Sequence, residues 1–140
     1  MGGSGENKEK MNVYEEIIQN KINEIAGKEI TSDIQQVVHE TEDISSQIIK
    51  TLLFYACNPT HIAPITYSRI CLSQLSSEWL CVKIKDLVFQ SVNIYDDWEY
   101  RRFLELSEMI SKDLLEWAIT ISIHSNNSEI IEAAADFTEY

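Results

Sequence analysis

The sequence predicts an all-α fold: a single domain of about seven to eight antiparallel helices, set out as a helical-hairpin, HEAT-like array. Three observations predict it. Apolar residues recur at the three- and four-residue spacing of a helix face along most of the chain, as at Tyr100, Phe103, Leu106 and Ile110. All four glycines lie at or before Gly27, so the rest of the chain lacks the residue that hairpin turns and phosphate-cradling loops use. The breaks between periodic stretches are Asn, Ser, Asp and Pro, which cap helices and form short polar turns.

The elements follow in order. MGGSGENKEK, residues 1–10, is a flexible leader in which GGSG has linker chemistry, and Met11 is either a native start or an ordinary residue. The folded domain is expected over residues 11–140. A first helix spans Val13 to Ala26, with Ile17, Ile18, Ile22 and Ile25 on its packed face and Gly27 as its stop. A second runs from about Ser32 to Glu40 around Ile34, Val37 and Val38. A third, Ile44 to Cys57, is expected to take Asp43 as its cap and to pack through Ile48, Ile49, Leu52, Leu53 and Ala56. Asn58–Pro59 reads as the N-cap and first residue of a fourth helix ending near Leu75. Pro64 either kinks that helix or moves its true start later. Ser76 or Ser77 caps a fifth, Trp79 to Val92.

From Ile94 onward the pattern is sharpest. Asp96 and Glu99 stand three apart as a capping box, and carboxylates suit the positive end of a helix. Ser111 and Asn127–Ser128 mark further breaks. In the last helix Glu129, Glu132, Asp136 and Glu139 fall within an arc of about 80°, opposite Ile130, Ala134 and Phe137. The stretches Asn58 to Asn93 and Asp96 to Asn126 read as helix pairs of about the HEAT-repeat length of roughly 40 residues. Leu52, Leu53, Ile84, Leu87, Phe103, Leu106, Leu114 and Ile130 are the expected core.

Charge narrows the partners. The net charge is −12 over 140 residues, and it is unevenly spread: −6 over residues 1–43, +2 over 44–95 and −8 over 96–140. Such a chain is repelled by phosphate, so it is expected to bind neither nucleic acid nor an anionic membrane. No apolar run is long enough to span a bilayer. Carboxylate-rich helices are either solvated faces or an acidic docking surface for a basic partner. Cys57, Cys71 and Cys81 cannot all pair internally and form no C-x-x-C, which fits buried thiols in a reducing cytoplasm.

Catalytic signatures are missing: there is no H-E-x-x-H, Walker A or G-x-G-x-x-G. Cys57 and His61 are four apart, but Pro59 interrupts them and no further ligands stand near. No metal, cofactor or catalytic residue is assigned, and the chain reads as a binding protein rather than an enzyme. The expected partner-binding set is Asp96, Asp97, Trp98, Glu99, Glu105, Glu129, Glu132 and Asp136. Trp98, set among acids, is either an anchor for a basic partner or a staple against the preceding helix. Trp79 and Trp117 are expected in the core.

DDWEYRRFLELSEMI, with a following helix and SNNSEIIEAAADF, resembles the C-terminal end of helical immunity proteins from bacterial polymorphic-toxin and contact-dependent growth inhibition systems. The resemblance covers about 45 of the 140 residues. It implies a cytoplasmic protein that binds a cognate toxin domain, a nuclease (RNase) with a basic cleft, and blocks it through an acidic surface. It transfers no individual contact residue. A helical protein–protein interaction adaptor without a toxin partner is the alternative.

Overall fold

The computed structural model describes residues 13–58 and 61–138, and among them every regular element is helical. The expectations for the leader, Pro59 and Glu139 lie outside the described residues. Seven α-helices are α1 (Val13–Ala26), α2 (Glu42–Cys57), α3 (Ile62–Ser73), α4 (Ser77–Ser91), α5 (Asp97–Ile110), α6 (Lys112–Thr120) and α7 (Ser128–Asp136). Two 3-10 segments, Thr31–His39 and Ile121–His124, complete the order.

α1 matches its expected bounds. Gly27, at φ +73°, adopts the left-handed geometry that ends the helix, and Gly27 and Lys28 both donate to the Asn23 carbonyl. The Asn23 side chain then accepts from the backbone of Ile30 (2.9 Å) and Thr31 (3.3 Å), which fixes the turn into the next segment. Ile18 and Ile22 are fully buried, whereas Ile17 is 41% exposed. The packed stripe is Ile18, Ile22 and Ile25 at four- and three-residue steps, and Ile17 falls off its edge.

The expected α-helix over Ser32–Glu40 is a 3-10 segment instead, interrupted at Asp33 (φ −143°, ψ 75°). Local side chains compete for the backbone here. The Glu29 carboxylate accepts from the Ser32 amide (3.1 Å) and from the hydroxyls of Ser32 and Thr31 (2.9 and 3.0 Å). These bonds, the Ser32 hydroxyl first, hold Glu29 below its usual carboxylate pKa. Ile34 and Val37 still reach the core.

Two caps differ from expectation. Thr41, not Asp43, caps α2, its hydroxyl accepting from Ile44 N at 3.2 Å, while Asp43 accepts from the Gln47 side chain. Asn58 closes α2 rather than opening the next helix. α3 therefore begins at Ile62, and Pro64 falls in its first turn, where a missing N–H breaks no intrahelical bond. α4 has Ser76 at its N-cap, as expected, and begins at Ser77, two residues before the expected Trp79.

α2 is the hub. It packs against α1, α3, α4, α5 and the first 3-10 segment, and seven of its residues are buried. α3 and α4, expected as a mutual pair, each pack chiefly on α2. α5 and α6 do pair, and α7 returns onto α5. All eight expected core residues are buried, each large aliphatic side chain contributing about 1.5–3 kcal/mol by leaving water. Tyr100 is fully buried and donates its hydroxyl to the Ala118 carbonyl at 2.8 Å, locking α5 to α6. The three cysteines are unpaired and buried. Lys83, only 8% exposed, pairs with Glu42 at 2.9 Å, bonds Ser46 and lies over the Trp79 ring, joining α4 to the start of α2.

Candidate protein-binding surface

The expected acidic set divides in two. Asp96 caps α5, accepting from Glu99 N at 2.9 Å. Glu99 returns the bond three residues further back than a standard capping box, accepting from the Asn93 amide at 3.0 Å. Glu105 takes both Arg69 of α3 (2.9 Å) and Arg102 (3.2 Å) on one oxygen, clasping α3 to α5. Asp136 holds Arg101 at 2.7 Å, clasping α7 to α5. These four carboxylates are engaged within the domain. Glu129 and Glu132 are exposed, and Asp97 is half-buried. The packing of α5 on α7 does bring the two acidic helices side by side.

Trp98 is 57% exposed, with the Arg102 guanidinium 6.0 Å from its ring centre. The Arg102 cation lies over this ring. Trp117 is half-buried rather than fully enclosed, edge-on to both Phe103 and Phe89. Trp79 is likewise half-buried.

A second surface was not among the expected contacts. Three neighbouring depressions share lining residues and together outline a groove. The first, about 560 Å³, lies between α1, α2 and α4 and is lined by Lys21, Lys50, Thr51, Phe54, Tyr55, Gln90 and Ser91. It shares Phe54, Gln90 and Ser91 with the second, about 580 Å³, which adds Phe89, Val92 to Tyr95, and Glu99. That shares Phe89, Ile94 and Tyr95 with the third, about 250 Å³, which ends at Ile121, His124, Ser125 and Ile130 of α7. Phe54, Phe89 and Tyr95 are 48%, 54% and 81% exposed along it. Contiguous exposed aromatics at a concave surface mark interaction sites in soluble proteins.

The signal for this groove was present in the chain. In α2 the buried residues Ile49, Leu52, Leu53 and Ala56 form one stripe, and Phe54 falls off it. In α4 Ile84, Leu87 and Val88 are buried and Phe89 is not. An aromatic off the packed stripe of a helix needs a reason to be there, and charge pattern alone does not reveal it.

Cys57 is fully buried, and burial pushes its thiol up to about 12, so at neutral pH it is a protonated apolar filler and no thiolate. His61 stacks on Tyr14 with ring centres 4.7 Å apart. Among the described residues no three His, Cys, Asp or Glu side chains gather in a way that could hold a metal ion. No helix among them is long and apolar enough to cross a membrane. No protein-family model, curated protein or solved structure matches this chain.

Proposed function

We propose that this protein is a binding protein of the immunity type, which seats a cognate toxin domain, an RNase-like nuclease, and neutralises it in the cytoplasm. The observation that carries a binding role is the groove: three exposed aromatic rings, from α2, α4 and the α4–α5 connection, line its middle depression together. Rings of this kind supply most of the binding energy at protein interfaces. The acidic surface supports the choice of partner. The groove ends at Ile130, next to Glu129, and the charge of residues 96–140 is −8. Aromatic anchors would hold the partner, while Asp97, Glu129 and Glu132 would draw in a basic, phosphate-binding cleft and occupy it.

The test is to sequence the adjoining genes and co-express this chain with any toxin C-terminal domain they encode. A stable complex, restored growth and suppressed RNase activity are expected. Phe89→Ser and Tyr95→Ser should weaken all three. A complex that leaves the nuclease active would make this chain an adaptor. Absence of a complex would overturn the toxin reading.

A further inference from the structure

The groove has a polarity that the overall charge conceals. Nine basic side chains lie among the described residues, and six of them form ion pairs with carboxylates: Lys28, Arg69, Lys83, Lys85, Arg101 and Arg102. Acids outnumber bases 23 to 11 in the chain, so a basic group without a carboxylate beside it runs against the composition. Of the three such groups among the described residues, Lys21 and Lys50 line the same depression. Lys21 comes from α1 and Lys50 from α2. The Lys50 ammonium is held at 3.4 Å by the side-chain oxygen of Gln90, a neutral group that orients it without neutralising it. Phe54 and Tyr55 stand in the same wall.

We infer that this end of the groove is a subsite for an acidic side chain of the partner protein, placed beside an apolar side chain that lies against Phe54. The inference rests on the groove reading and adds a direction to it. The seated segment would set Asp or Glu over Lys21 and Lys50 and run toward Tyr95 and the acidic N-terminal turn of α7. Two ammonium groups on one wall give a carboxylate two opposite charges to meet. Solvent-exposed pairs of this kind are weak, so together they select a partner more than they hold it.

The experiment uses the full chain, labelled with ¹⁵N, and two synthetic peptides, acetyl-Trp-Leu-Glu-Glu-amide and acetyl-Trp-Leu-Lys-Lys-amide. The acidic peptide should shift the amide signals of Lys21, Lys50, Phe54 and Gln90 and bind about five-fold tighter than its basic twin at low salt, the gap closing as salt rises. Lys21→Glu with Lys50→Glu should reverse the preference. Equal binding of both peptides at these residues would overturn the acidic subsite and leave the groove standing. Shifts confined to α5 and α7, or no binding by either peptide up to several millimolar, would remove the groove as well. A leader occupying the subsite would also overturn the inference. It would appear as movement of the Lys21 and Lys50 signals in Glu6→Gln/Glu9→Gln without peptide. A second copy there would appear as movement of the same signals on dilution.

Discussion

The acidic face of α5 and α7 and the aromatic groove between α1, α2 and α4 contrast in what their side chains already touch. On the acidic face, Asp96, Glu99, Glu105 and Asp136 hold helix caps and interhelical clasps. Along the groove, Phe54, Phe89 and Tyr95 are 48%, 54% and 81% exposed, and Lys21 and Lys50 have no carboxylate beside them among the described residues. A dense run of charge can thus be mostly architecture, while a near-neutral stretch carries the unsatisfied surface. Net charge counts groups without regard to their partners. Binding depends on the groups whose partners are missing.

The largest expected effect joins the two regions. Phe103 of α5 is fully buried and edge-on to Trp117, which in turn meets Phe89 of the groove. Phe103→Ala should cost about 3–5 kcal/mol in denaturant unfolding, as large core truncations do, and should disturb both surfaces. A loss below about 1 kcal/mol would mean that the core does not link them.

Phe89→Ser and Phe54→Ser sharpen the contrast from the groove side. Each should lower stability by less than about 1 kcal/mol, since both rings are half exposed. Each should weaken the partner complex by about 2 kcal/mol, roughly thirty-fold in Kd. Titration calorimetry beside thermal melts separates the two quantities. Large destabilisation with unchanged affinity would make these rings core residues of another kind.

Glu105→Ala addresses the acidic face as architecture. It leaves Arg69 and Arg102 facing each other without their shared carboxylate, at a cost of about 1–2 kcal/mol, because the clasp is partly exposed. The smallest effect on folding, within about 0.5 kcal/mol, is expected from Glu129→Lys with Glu132→Lys, both exposed positions. That double variant should slow association with a basic partner about ten-fold at low salt and little at high salt, measured by stopped flow. Asp136 is left out of it, since a lysine there would repel Arg101 and mix folding with binding.

Most of the fold was legible because helix periodicity and caps are local. Gly27, the Asp96–Glu99 pair, Ser111 and Asn127 all act within a few residues, and each stops or starts a helix where the chain suggested. Thr41 displaced Asp43 as a cap because both residue types cap well and only the packing of α2 chooses between them. The clasps were not legible. Glu105 meets Arg69 across 36 positions of sequence, and no spacing rule reaches that far. For the same reason the chain could show that α5 and α7 are acidic but not which carboxylates were already taken. The groove, assembled from five α-helices, the second 3-10 segment and the α4–α5 connection, announced itself only through Phe54 and Phe89 sitting off their stripes.

The connection from α4 to α5 has one further consequence. Asn93 donates its amide to Glu99 and its carbonyl accepts from Asp96; its side chain accepts from the Tyr95 amide at 3.1 Å. Ile94 is buried between them. Tyr95, the most exposed of the groove's aromatics, therefore rides on a backbone that has already lost its freedom. Ordering a loose residue on binding costs about 1–2 kcal/mol of conformational entropy. A partner meeting Tyr95 is spared that cost along the whole connection. The backbone beneath the ring is pre-organised for contact, so only the side chain itself has still to be ordered.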